Sequence, residues 1–209
     1  MTTFNKKPPL ALGILISGRG SNLMAIDQAI KARMLNAHIA VVISNNPEAP
    51  GLQWAKLEDI ECCSFNPKDF PSKAAYENQV IAHLKKAKVD LVILAGYLLL
   101  LSKSFINHFR GRIMNIHPSL LPAFAGLHPQ KQALDYGAKI SGCTVHFVDE
   151  GMDTGPIILQ KAVPVMDDDT EATLSERILK EEHQCYTRAI ELYAEGRLKI
   201  KGRVVKITS

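Results

Sequence analysis

From Leu10 to Ile116, short runs of apolar, mostly branched residues alternate with segments of helical spacing. That alternation constrains the fold more than any other feature of the chain. Leu10–Ile16 is one such run; it ends in a glycine-rich turn, and Leu23, Ile26 and Ile30 follow at helical spacing. Residues 40–43 read as a second strand, stopped by Asn45-Asn46-Pro47, and residues 62–65 as a third. A helix is expected over 73–86, then a buried strand over 89–95, a short helix over 105–109, a strand over 112–116 and a helix over 127–136. Strands that are apolar throughout are covered on both sides. The pattern therefore predicts an α/β fold: a doubly wound, mostly parallel sheet with helices on both faces. After residue 140 the character changes. Residues 141–148 alternate and are separated by a turn from 156–160, which predicts an antiparallel C-terminal addition with Asp153 in the connecting loop. A long helix over 170–195 follows, with Gly196 as its terminator. No repeat or linker interrupts the chain, so residues 1–209 are expected to form one domain, with 1–9 a frayed tail.

A chain of 209 residues, 46% of them hydrophobic, can bury one sizeable core. Its longest apolar run, 91–101, contains Gly96 and falls well short of the roughly 20 residues needed to span a bilayer. The start of the chain has Lys6 and Lys7 but no long apolar stretch, so no secretory signal is read there. Cys62, Cys63, Cys143 and Cys185 fit no zinc spacing, and the adjacent pair does not close a standard disulfide. Reduced cysteines and a cytoplasmic location are expected. The formal charge of +4 arises from scattered basic residues, with no arginine-rich strip interleaved with aromatics. The expected partners are small molecules, without nucleic acid or membrane, for a monomer or homodimer.

The densest chemistry lies between residues 112 and 156. Met114-Asn115-Ile116-His117-Pro118-Ser119-Leu120-Leu121-Pro122 is followed by Gly126-Leu127-His128 and then by Asp149-Glu150-Gly151-Met152-Asp153-Thr154-Gly155-Pro156. Asn115 and His117 are two residues apart, so on an extended segment both side chains face the same way. Pro118 biases His117 toward an extended backbone, which places the pair at the end of a strand, where open α/β sheets bind ligands. An amide, an imidazole and a carboxylate are the groups needed to hold and protonate a carbonyl oxygen under attack by an amine. The turn Gly18-Arg19-Gly20-Ser21-Asn22 admits two readings: a phosphate cradle at a helix N-terminus, or a generic strand-to-helix turn capped by Ser21. It is neither a Walker loop nor a dinucleotide fingerprint, since no Gly-Lys-Ser/Thr follows and position 23 is leucine. On the long helix, Leu174, Ile178, Glu182, Cys185, Ala189 and Tyr193 form one stripe. The carboxylate on that stripe is paired internally, faces a ligand, or sits at the stripe's edge.

The run Asn-Ile-His-Pro-Ser-Leu-Leu-Pro, the later Gly-Leu-His and Asp-x-Gly-Pro, and Ile16-Ser17-Gly18-Arg19-Gly20-Ser21-Asn22 together resemble the folate-dependent formyltransferases over about residues 10–198. The resemblance implies transfer of a formyl group from 10-formyltetrahydrofolate, a co-substrate, to the amino group of phosphoribosylglycinamide in purine synthesis. No metal and no tightly bound cofactor are implied. Asn115 and His117 are implied to stabilise the oxyanion, and Asp153 to support His117 and help move the amine proton. Gly20, Ser21, Asn22, Pro118 and Glu182 are implied to bind the ribonucleotide. Lys73, Leu98, Leu99, Leu100, Leu101, Asn115 and Val148 are implied to bind the folate. Lys73 stands where some relatives have arginine, and Leu98-Leu99 where they often have Met-Arg or a similar pair, so polar contacts to the folate are in question. His128 and His146 are further candidates, the first for supporting a loop and the second on an alternating strand. Competing readings are a non-catalytic nucleotide-binding α/β module and another folate-dependent formyltransferase or deformylase.

Overall fold

The structure is a computed structural model that describes residues 8–209; residues 1–7, most of the expected frayed tail, lie outside the described residues. The elements run β1 (Leu10–Ile16), α1 (Ser21–Lys31), β2 (Ala37–Ser44), α2 (Pro50–Leu57), β3 (Cys62–Ser64), α3 (Lys73–Lys86), β4 (Leu91–Leu94) and α4 (Lys103–His108). Then come β5 (Ile113–His117), α5 (Pro129–Tyr136), β6 (Ile140–Phe147), β7 (Ile157–Pro164), α6 (Glu171–Ala194), β8 (Leu198–Lys201) and β9 (Val204–Ile207). The strands among the described residues form one sheet in the order β3-β2-β1-β4-β5-β6-β7-β9-β8. Strands β1 to β5 are mutually parallel, and β6 pairs antiparallel with both β5 and β7.

Strand periodicity builds the two cores. Leu12, Ile14 and Ile16 of β1, Leu91 and Ile93 of β4, and Met114 and Ile116 of β5 face α1, α2 and α6. Their alternates Leu15, Val92, Leu94 and Ile113 face α3 and α4. Each such Leu or Ile, taken out of water, contributes about 2 kcal/mol. Tyr186 of α6 is fully buried, and its hydroxyl lies 3.1 Å from the Leu94 carbonyl and 2.8 Å from that of Met114. One phenol thus ties the long helix to the backbones of β4 and β5 just beneath the site. Thr170 begins α6 with a capping box shared with Thr173.

Several boundaries differ from the sequence reading. Helix α2 was not anticipated in the sequence; Pro50 occupies its first turn, where its missing N–H costs nothing. The β8–β9 hairpin was also not anticipated; its strands are only four residues each, too short to stand out as a periodic run. Strand β7 runs on to Pro164 because pairing with β6 continues through its polar residues. The topology makes a crevice: from β1 the chain winds toward β2, from β4 toward β5, and the two loops part above adjacent strand ends.

Candidate active site

A cleft of about 1240 Å³ opens at that crevice, lined from Gly18 to Asn22, from Leu94 to Leu101, by Asn115 to Pro118 and by the loop carrying Asp153. At one end α1 begins at Ser21, with Gly20 as its cap in the left-handed region (φ 74) and no side-chain cap. The alternative in which Ser21 caps the turn is therefore corrected: Ser21 is already helical. A Cβ at Gly20 would lie 3.2 Å from the Cα of Gly51, so glycine serves both the φ and the close approach. The first N–H groups of α1 have no partner within the helix and point, with the positive end of its dipole, to the cleft. Buried Ser17 ties the neighbouring loops together: its hydroxyl donates to Asn45 Oδ1 at 2.5 Å and accepts from the Leu98 N–H at 2.9 Å. Sequence reasoning passed over Ser17, which has no motif of its own beyond preceding the glycines.

Asn115 and His117 project from the same side of β5, and the loop between β6 and β7 brings Asp153 to them. Asp153 has a left-handed backbone (φ 54). Its Oδ2 is 3.4 Å from His117 Nδ1 and accepts the Gly126 N–H at 3.0 Å, while Oδ1 is 3.5 Å from Asn115 Nδ2. His117 Nε2 donates to the Phe124 carbonyl at 2.9 Å. Both ring nitrogens thus face acceptors, an arrangement that only the doubly protonated imidazole satisfies in full. His117 and Asp153 side chains are 7% and 13% exposed, so the contact between them is little screened by water.

His146, a secondary candidate in the sequence, proves to be part of the same cluster. Its Nδ1 donates to the Phe147 carbonyl at 2.9 Å, which leaves Nε2 as an acceptor for Asn115 Nδ2 at 3.2 Å. Burial holds its pKa below the usual histidine value, against the opposing pull of the Phe147 carbonyl and Asp153. The signal that could have promoted it is its place in an alternating strand, but only the register puts it opposite Asn115. His128 is at the mouth instead, 73% exposed and 3.5 Å from Glu171 Oε1.

Pro118 lines the cleft beside His117. Glu182 of α6 is buried, and its Oε2 accepts from Asn22 Nδ2 at 2.9 Å. Burial raises its pKa, with the Asn22 amide acting in the other direction. The edge-of-stripe reading of Glu182 is corrected, because the carboxylate lines the cleft. At the other end, Leu98 and Leu100 point outward (72% and 60% exposed), while Leu99, Leu101 and Val148 pack against the core under α3 and α4. Lys73, at the start of α3, stands with its ammonium 3.9 Å from Glu77 at the lip of a side cavity of about 320 Å³. Among the described residues no group of side chains is arranged to hold a metal, and no helix is long and apolar enough to cross a membrane.

Residues 11–190 match the sequence model of the formyl transferase family. The phosphoribosylglycinamide formyltransferase of Escherichia coli is 41% identical over 187 residues, covering 90% of this chain and 88% of that protein. The trifunctional purine biosynthetic protein adenosine-3 of Drosophila melanogaster is 48% identical over 195 residues, but the match spans only 14% of that protein's length. The crystal structure of glycinamide ribonucleotide transformylase 1 from Symbiobacterium toebii superposes with a TM-score of 0.97 at 46% identity, over 100% of this chain and 99% of that one. The chain belongs to the formyl transferase family.

Proposed function

We propose that this chain transfers the formyl group of 10-formyltetrahydrofolate to the amino group of phosphoribosylglycinamide, as a single formyltransferase domain acting on two small molecules. The observation that carries the reading is the convergence of Asn115, His117 and Asp153 in a cleft that also holds the start of α1. A non-catalytic nucleotide-binding module accounts for the helix start but gives no reason for that convergence.

In this reading the ribonucleotide phosphate rests on the backbone N–H groups of Gly20, Ser21 and Asn22, and the folate lies along residues 96–101 and Val148. The amine attacks the formyl carbon, forming the new C–N bond and placing negative charge on the formyl oxygen. Asn115 Nδ2–H and the charged His117 ring stabilise that oxygen. The 3.5 Å contact from Asn115 to Asp153 is long and is the one a substrate oxygen replaces most easily. Asp153 orients the His117 ring through Nδ1 and assists transfer of the amine proton to the folate nitrogen, which leaves as its bond to the formyl carbon breaks. Folate is consumed and released, so it is a co-substrate.

The test is formyl transfer by the purified chain, following product formation with and without the ribonucleotide. Formylated ribonucleotide is expected only when both substrates are present. Release of formate without the ribonucleotide would make it a deformylase, and no reaction of either kind would leave a binding module.

A further inference from the structure

A carboxylate is buried beside the segment 96–101, outside the cleft itself. Glu77 of α3 is 3% exposed, and neither it nor its partner Ser102 lines the cleft. Its Oε1 accepts the Ser102 N–H at 2.8 Å, and its Oε2 accepts the Ser102 hydroxyl. That hydroxyl in turn accepts the Phe105 N–H at 3.2 Å as the N-cap of α4. A buried carboxylate needs donors at both oxygens, and here one residue supplies them. Lys73 Nζ also approaches, but at 3.9 Å and on a side chain 57% exposed, where an ion pair is worth little. Ser102 closes the segment. Its other end is fastened beyond β1: the Ser17 N–H donates to the Gly96 carbonyl at 3.1 Å, and Ser17 Oγ accepts the Leu98 N–H at 2.9 Å. Between these fastenings Leu99, Leu100 and Leu101 make no backbone hydrogen bond among the described residues. Their course depends on the two ends and on the packing of Leu99 and Leu101 against the core under α3 and α4.

We infer that Glu77 is a positioning residue: by holding the Ser102 end of the segment 96–101, it sets the affinity for folate without touching it. This rests on the functional reading above, in which folate lies along that segment, and adds what keeps the segment in place. Without its acceptor the Ser102 N–H turns toward water and carries the unfastened leucines with it. Lys73, one turn before Glu77, lines the cleft and offers a second route from the carboxylate to the ligand. The two routes separate, because Ser102 needs an acceptor and Lys73 a charge.

Calorimetric titration with tetrahydrofolate, the spent co-substrate, and with phosphoribosylglycinamide tests this without requiring turnover. Glu77→Met fills the same space but accepts nothing. Its affinity for tetrahydrofolate should fall about tenfold while affinity for the ribonucleotide holds within about twofold. Glu77→Gln keeps an acceptor for the Ser102 N–H but loses the ion pair with Lys73, and it should recover most of that loss. Ser102→Ala serves if Glu77→Met does not fold: it should weaken tetrahydrofolate about three- to fivefold, again sparing the ribonucleotide. Equal losses for both ligands in Glu77→Met would overturn the inference and leave Glu77 a structural carboxylate. Unchanged tetrahydrofolate affinity in a Glu77→Met chain of lowered Tm would do the same. A glutamine variant as weak as the methionine one would also overturn it, since the effect would then run through Lys73. Tetrahydrofolate affinities in the expected order, in a chain with no formyl transfer, would defeat the catalytic reading and leave this one standing.

Discussion

Asn115 and His146 are register partners on β5 and β6, and the amide of the first donates to the imidazole Nε2 of the second at 3.2 Å. Because the Phe147 carbonyl takes the other ring proton, His146 presents only a lone pair to Asn115. One amide hydrogen is therefore held in place while the other remains near Asp153 Oδ1. A strand pairing thus sets the direction of the Asn115 amide.

If Asn115 and His117 stabilise an oxyanion, replacing either with alanine should lower kcat by roughly 100- to 1000-fold with much smaller changes in KM. Asp153→Asn retains the side chain's size but removes the charge facing His117, and a comparable loss is expected. Steady-state kinetics on the three variants decide this. A change confined to KM would mean these residues bind and do not catalyse.

His146→Ala should cost about tenfold in kcat, because Asn115 loses the partner that orients it. There is a second signature in stability. The folded pKa of His146 lies below its ordinary value of 6.5, so the stability present above that value is lost as pH falls toward the depressed folded pKa. His183, also depressed by burial, acts in the same sense. Wild-type Tm should therefore decline as the pH drops below about 6.5, and His146→Gln should flatten part of that decline. An identical slope in the variant would show that His146 contributes nothing to the decline.

Glu182 titrates in the opposite sense. Its folded pKa is raised by burial, so its stabilising contribution is full below the unfolded value of 4.5 and is lost as pH rises through the folded value. Once ionised, the buried carboxylate is a cost. Glu182→Gln is expected to gain about 1 kcal/mol, or roughly 2–4 °C in Tm, while losing affinity for the ribonucleotide. Thermal melts at pH 7 and pH 4.5 check it, the gain being smaller at the lower pH. A variant less stable than wild type at pH 7 would contradict it.

Gly155 packs so closely that a Cβ there would collide with the Phe147 carbonyl oxygen. Gly155→Ala must push the loop outward, and Asp153 with it. We expect a loss of about 2 kcal/mol in stability, within the range for overpacking, and at least a tenfold fall in kcat. Chemical denaturation and kinetics on the same preparation measure both; normal kcat in a destabilised variant would separate the loop's position from the chemistry.

Much of this was readable from local pattern. Alternating apolar runs and helical spacings specify a mostly parallel sheet, because a strand apolar on both sides must be covered on both. Asn115 and His117 share a face because side chains alternate along a strand, a relation settled within a few residues. Gly20 before Ser21 marks a strand-to-helix turn for the same local reason. What only the tertiary structure decided depends on contacts far apart in the chain. His146 meets Asn115 across 31 residues through strand register, and Asn22 meets Glu182 across 160 through the docking of α1 on α6. Register and helix docking follow from how whole faces pack, and that information is spread over both cores. A strand's period says which way a side chain points, and only the assembled sheet says what it points at.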